Sequence, residues 1–373
     1  MVKQNAASAG LKSKWLIYGA YGYSGELIAR EAVRRNLKPI LAGRSAEPLE
    51  KLAQELNLEH RTFELDEAED ISGYLKDIGV VLHCAGPFSK TSQPMLNACL
   101  KARSHYLDIT GEISVFEAIQ ARNPEIVSAG IIAIPGVGFD VVPTDCLAAM
   151  LKDALPDANQ LRLAIKGIGG KLSGGTAKTM IESLGKGGAI RKDGKITKVP
   201  TAYKTLSVDF GSGKEDLSIT FPWGDVSTAY YSTGIPNIEV YFAVGKKVAK
   251  KMRKADRFGW LLRSRALQFM MKTWVELTVK GPSQDELDAG KIDVWGEVEN
   301  AQGLTKSLRM QCPQGYKLTA DSAVTIVEKL LSPEIVTGIT PGFITPSKAF
   351  GKDFALSLAG VRLMQLAGSK ASK

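Results

Sequence analysis

The 373 residues predict an α/β chain, a doubly wound parallel sheet followed by a second, mixed α+β domain, and three observations carry that prediction. The apolar run Trp15-Leu16-Ile17-Tyr18 leads through Gly19-Ala20-Tyr21-Gly22-Tyr23-Ser24-Gly25 into an amphipathic stretch at 26–35. Short β-branched runs then alternate with helical patterns as far as Pro135. From Leu161 onward the strand-like runs lose their regular intervening helices.

Strand, glycine turn and helix start together make a site for a pyrophosphate, because free N–H groups and the helix dipole face the anion. Gly19 is read as the tight turn, Gly22 as the close approach to phosphate, and Gly25 as the contact between helix and sheet. The second apolar run, 39–42, ends in Gly43-Arg44-Ser45, where an NAD-binding fold carries an acidic residue for the ribose 2′-hydroxyl. Arg44 stands there instead, and a guanidinium suits a 2′-phosphate, so the expected cofactor of this Rossmann domain is NADP(H). Gly19, Tyr21, Gly22, Tyr23, Ser24, Gly25, Gly43, Arg44 and Ser45 are the expected contacts on this side.

A helix over 46–56, a short strand at 61–65 and a buried parallel strand at 80–84 follow. The last of these ends in Ala85-Gly86-Pro87-Phe88, expected on the nicotinamide side, with Phe88 packing on the ring. His83, on an apolar strand, reads as a core histidine. Next come a helix at 93–102, a strand at 105–109, a helix at 114–128 and a strand at 131–135. A helix at 145–155 leads out of the nucleotide domain, which spans 14–150. The second domain, 151–335, is expected to be mainly antiparallel, with strands at 161–165, 217–221, 238–242, 275–279, 294–299 and 306–310. Its helices open at Gly174-Gly175-Thr176, within a basic segment, and at 321–331. Residues 336–373 are expected to return to the nucleotide domain, and 1–13 to form a disordered arm rather than a secretory signal.

With 44% hydrophobic and 23% charged residues, the chain is globular in composition. Four cysteines lack C-x-x-C spacing and three histidines show no ligand pattern, so no metal site is expected and a reducing cytoplasm suits the chain. Net charge is +9, and residues 246–272 hold ten basic residues against one acid, Asp256, an excess equal to the whole net charge. Any polyanion contact is therefore local, and no recognised motif points to nucleic acid. A helix from Arg257 would gather Leu262, Ala266, Phe269 and Met270 on one side and Arg257, Ser264, Arg265, Gln268 and Lys272 on the other. Too short and too charged to span a bilayer, it either lies against an anionic membrane or packs within the protein, in the domain or a homodimer.

Tyr106, Asp108, Glu112 and Asp140 are all expected on loops leaving late strands, where a Rossmann crevice opens, and hydride chemistry needs a proton donor or acceptor. Tyr106 and Asp108 are further catalytic candidates, while Glu112, Phe139 and the helix start Ser173-Gly174-Gly175-Thr176 are candidate substrate contacts. Helix capping or loop bracing is the other reading of Asp140 and of Ser173.

Taken in order, Gly19 to Gly25, Ala42 to Ser45, Gly86-Pro87-Phe88, His105 to Glu112, Gly138-Phe139-Asp140 to Asp145, Ser173 to Thr176, Gly315-Tyr316 and Thr340 to Pro346 resemble the saccharopine dehydrogenase-like oxidoreductases. That group includes trans-acting enoyl reductases of lipid biosynthesis, and the resemblance covers most of the chain. It implies an NADP-binding Rossmann domain, a substrate domain inserted before a C-terminal return, and hydride transfer. Asp140 matches the aspartate of the family's Gly-Leu-Asp run and so becomes the first choice of acid or base. The segment here runs Gly138-Phe139-Asp140-Val141-Val142-Pro143-Thr144-Asp145, whereas saccharopine reductases proper carry Gly-Leu-Asp-Pro-Gly-Ile-Asp-His. The substrate therefore stays open among small or lipid-like C=O, C=N and enoyl compounds. Few arginines, notably Arg162, Arg191 and Arg309, are available in the second domain to clamp a multi-carboxylate substrate. The rival reading is a catalytically silent nucleotide-binding protein acting at a lipid surface.

Overall fold

The computed structural model describes residues 12–66, 71–168, 173–256, 259–279 and 281–364. Most of the expected arm, and Arg257, lie outside them. The first unit comprises β1 (Lys14–Tyr18), α1 (Tyr23–Arg34), β2 (Ile40–Gly43), α2 (Ala46–Leu56), β3 (His60–Thr62), β4 (Ile78–His83), α3 (Phe88–Ala102), β5 (His105–Asp108), α4 (Ile113–Ala121), α5 (Asn123–Ala129) and β6 (Ile132–Ile134). Its strands are parallel in the order β6-β5-β4-β1-β2-β3, the doubly wound arrangement expected. Leu16, Ile17, Val80 and Val81 are fully buried because helices cover both faces of the sheet.

Helix α6 (Val142–Ala154) leads into the second unit. There follow β7 (Gln160–Ile168), α7 (Gly174–Ser183), β8 (Gly188–Lys192), β9 (Lys195–Val199), β10 (Thr205–Asp209), β11 (Glu215–Thr220), α8 (Asp225–Thr233) and β12 (Asn237–Ala243). Then come α9 (Lys246–Asp256), α10 (Gly259–Leu262), α11 (Arg265–Thr278), α12 (Gln284–Ala289), β13 (Lys291–Glu299) and β14 (Thr305–Pro313). The return consists of α13 (Gly315–Leu331), α14 (Pro333–Val336), β15 (Gly342–Phe343), α15 (Pro346–Phe350) and β16 (Arg362–Met364). The second sheet runs β10-β11-β12-β7-β13-β14-β16, antiparallel except for β12 against β7, with the β8–β9 hairpin beside β12. Leu147 and Leu151 of α6 pack in one core with Val294 and Met310, so this helix fastens the second sheet to the first unit.

Several elements depart from the sequence reading. The strand expected at 275–279 is the end of α11: Val275, Leu277 and Val279 alternate with period two, but they continue a helix begun at Arg265. The helix expected at 114–128 is two helices, divided at Arg122, with a proline in the first turn of α5. The helix expected at 321–331, which the sequence reading already turns back toward the nucleotide domain, starts earlier, as α13. Helix α13 packs on α1, where the Arg35 guanidinium meets Glu31, Asp321 and Glu328. Strand β15 then extends the first sheet beside β6, and the chain crosses back to pair β16 with β14.

Candidate functional site

The turn after β1 is built from backbone. Gly19 has φ +83°, and its N–H donates to Ala42 O at 2.8 Å, which ties the turn to β2. A Cβ on Gly25 would lie 2.2 Å from Gly19 O, so α1 meets the sheet closely enough to exclude any side chain there. The start of α1 has Gly22 at its N-cap and no side chain bonding to its first-turn N–H groups. Tyr21 lays its ring over Gly43, and its hydroxyl meets Ser45 Oγ at 3.3 Å. Arg44 is exposed at the end of β2, with no hydrogen bond or ion pair to any described residue.

The next strand ends lie along the same edge. A Cβ on Gly19 would touch Ala85 at 2.9 Å. Phe88, half-buried, stands edge-on to the His83 ring at 5.4 Å. Glu112 reaches from beyond β5 and caps α3: its carboxylate accepts from Phe88 N at 2.9 Å and Ser89 N at 3.1 Å. That cap starts α3 at Phe88 rather than at 93, and it gives Glu112 a loop-holding position in place of the expected free substrate contact. Burial pushes the Glu112 carboxyl up, against these hydrogen bonds. His83 is wholly buried, as a core histidine should be. Its Nε2 meets Thr91 Oγ1 at 2.9 Å and burial lowers its pKa to about 3, while Nδ1 has no partner.

Tyr106 and Asp108 were expected on a loop but lie within β5, on one face of the sheet, with no exposed surface. The tyrosine hydroxyl donates to Asp108 Oδ2 at 2.7 Å, and Asp108 Oδ1 accepts from Thr110 N at 3.0 Å and Gly136 N at 2.9 Å. Burial raises the Asp108 carboxyl to about 6, with these bonds pulling against it. The pair braces the ends of β5 and β6 from wholly buried positions.

Asp140 does lie at the strand ends. A Cβ on Gly111 would be 2.9 Å from its Oδ2, which puts the carboxylate against the loop that carries Glu112. The backbone is fixed on two sides: Phe139 N donates to Thr319 Oγ1 of α13 at 3.0 Å, and Trp223 Nε1 donates to Asp140 O at 2.6 Å. No described residue hydrogen-bonds the carboxylate, and burial raises it to about 6. Around it stand aromatic rings: Phe139 edge-on to Trp223, and Trp223 stacked on Phe242 at 6.2 Å with Phe221 beside them. Asp225, fully buried nearby, is pushed well above the carboxylate range by burial and then by the Asp145 and Asp140 charges, which keeps a second negative charge away from Asp140.

Ser173, Gly174, Gly175 and Thr176 close the other side. Ser173 Oγ caps α7 by accepting from Thr176 N at 3.2 Å, while the Cβ positions of Gly174 and Gly175 meet no atom closer than 3.4 Å. Tyr316, at the start of α13, holds this turn: its hydroxyl accepts from Ser173 N at 2.7 Å and meets Thr176 Oγ1 at 2.8 Å. Its ring stands edge-on to Tyr23 at 5.0 Å, and Tyr23 in turn donates to Pro282 O. The start of α7 is thus keyed to the start of α1. Tyr316→Phe should raise the substrate KM about three- to tenfold, with kcat and NADPH affinity little changed, since about 1 kcal/mol is at stake in each lost bond. Steady-state kinetics with a cofactor titration checks this, and a parallel loss of NADPH binding would place the hydroxyl in the cofactor site instead.

Residues 15–134 match the family model described as the saccharopine dehydrogenase NADP binding domain. A human saccharopine dehydrogenase-like oxidoreductase is 22% identical over 90% of this chain and 92% of its own length. A putative trans-acting enoyl reductase of Mycobacterium tuberculosis is 26% identical over 45% of this chain and 43% of its own. Among solved structures, saccharopine dehydrogenase (L-Glu forming) of Saccharomyces cerevisiae superposes with TM-score 0.62 at 13% identity, over 94% of this chain and all of that one. Homospermidine synthase of Legionella pneumophila, in complex with NAD, gives 0.55 at 10% identity over 96% and 93%. The cofactor is NADP, and the residues present fit it. The uncapped start of α1 and Arg44, which pairs with no described residue, are what a pyrophosphate and a 2′-phosphate need.

Proposed function

We propose that the chain is a saccharopine dehydrogenase-like oxidoreductase whose residues 15–134 bind NADP, and that it reduces a C=O or enoyl group on an apolar, lipid-like substrate. One observation carries the substrate class: the wall around Asp140 is aromatic, and the arginines expected as clamps are already spent. Arg162 pairs with Glu297 and Glu299, Arg191 with Glu117, and Arg309 with Asp209, which leaves none of the three free to hold a carboxylate.

The bound dinucleotide supplies the hydride. Asp140 supplies the proton, its raised pKa keeping a protonated fraction near neutral pH. The N–H groups of Gly174 and Gly175 orient the substrate oxygen, Tyr316 positions them, and Glu112 holds the start of α3 in place. Phe139 and Trp223 exclude water and grip the apolar part of the substrate.

Consumption of NADPH against a panel of candidate acceptors tests the reading. Medium- and long-chain enals, enones and keto-acyl compounds should give saturable oxidation, and keto-dicarboxylates paired with amino acids should not. Turnover confined to the dicarboxylates would overturn the substrate class. Tight NADPH binding without turnover on any of them would leave the silent lipid-surface protein as the better account.

A further inference from the structure

The amphipathic pattern of α11 is inverted. Gln268 and Lys272 face inward: the lysine ammonium meets Glu182 of α7 at 2.5 Å, and the glutamine amide donates to Leu262 O at 3.2 Å. The outer stripe is Arg265, Ala266, Phe269, Met270, Thr273 and Trp274, with Phe269 73%, Met270 65% and Trp274 63% exposed. Trp260 of α10 is a further 70% exposed, with Leu261 beside it. Large side chains gathered on one face in this way mark a contact surface.

The same stretch carries an excess of cations. Lys246, Lys247, Lys250, Lys251 and Lys254 of α9, and Arg263 and Arg265 beyond it, form no ion pair with any described residue. Lys246, Lys250, Arg253 and Lys254 line a cleft of about 390 Å³ floored by Leu217 and Ala249.

We propose that α9 to α11 dock the protein on an anionic phospholipid bilayer, with the α10–α11 aromatics at the interface and the α9 cations at the headgroups. One surface then accounts for both features, since tryptophan and phenylalanine enter the interfacial zone while lysine and arginine attract acidic lipid. A second copy of this chain fits poorly, because cations in this segment far outnumber its acids, Asp256 and Glu276, and pairing through this face would oppose like charges. With 14 residues, α11 is about 21 Å long against a hydrocarbon core of about 30 Å, so it lies in the plane. It packs on α7, so a single helix separates the docked face from the Ser173 to Thr176 turn.

Co-sedimentation of the full chain with vesicles tests the docking independently of any substrate. The unmodified protein should pellet with phosphatidylglycerol vesicles at low salt, at least about tenfold less at high salt, and not with pure phosphatidylcholine. Replacing Lys246, Lys247, Lys250 and Lys251 with glutamine should weaken binding at least about tenfold. The double variant Phe269→Ser, Trp274→Ser should weaken vesicle binding at least about tenfold, and both variants should keep NADPH affinity. Failure of the unmodified protein to bind acidic vesicles, variants that bind as well as it does, or a dimer in sedimentation that the double variant dissociates would each overturn the proposal. The last outcome would make this face a protein contact.

Discussion

Asp140→Asn should lower turnover by roughly a hundredfold or more and leave NADPH affinity nearly unchanged, because the amide keeps the shape of the site but carries no transferable proton. The carboxyl is raised to about 6 by burial, with no hydrogen bond offsetting it. For a proton donor the sign is fixed: kcat/KM for reduction should fall as pH rises through about 6, and oxidation by the same residue should rise there. That limb should vanish in the variant. Stability moves in the same direction as reductive activity. A carboxyl whose folded pKa lies above its unfolded one binds protons more tightly when folded, so stability declines as pH rises from about 4 to about 6 and stays lower above that. Asn has no charge to bury, so the variant should melt higher than the parent at pH above 6. Loss of turnover together with loss of stability would assign Asp140 to the scaffold.

Arg44→Ala should weaken NADPH binding about tenfold or more while barely altering NADH. A paired, charge-assisted contact with a phosphate is worth about 1.5 to 3 kcal/mol, and 1.4 kcal/mol is one factor of ten. The guanidinium is exposed and unpartnered, so its removal leaves no orphaned carboxylate, and the effect should appear in cofactor selectivity alone. Titration of both cofactors by fluorescence checks it. Equal losses for NADPH and NADH would mean that Arg44 does not read the 2′-phosphate.

The glycine turn, Arg44 and the strand order were legible because they are local: a turn between strand and helix constrains its own residues, and alternating elements fix a parallel sheet. What was hidden comes from far along the chain. Thr319 and Trp223, which hold the turn at Asp140, are 180 and 83 residues from the atoms they bond, and Tyr316 reaches Ser173 across 143. Gly315-Tyr316 was visible as a motif, yet nothing local said where its hydroxyl went. Glu112 could have been caught as a cap only by knowing that its loop stands over α3. Tyr106 and Asp108 were misplaced because a strand end and a loop start look alike in sequence, and two residues of backbone separate a buried brace from a crevice group. The single helix expected from Arg257 is divided into α10 and α11, and periodicity put Arg265 with Gln268 and Lys272, whereas that arginine lies on the outer stripe with Phe269. Periodicity could not say which side faced out, since the partner helix α7 offers Glu182 to Lys272 and so draws the polar side inward.

Among the described residues, the backbone passes between the two sheets three times, through α6, before α13, and between α15 and β16. Each connection ties the second unit to the first, so any opening of the crevice between them has to bend the chain at all three. If release of product limits the reaction cycle and the α10–α11 face docks as proposed, turnover should change on acidic vesicles through α7, on which α11 packs.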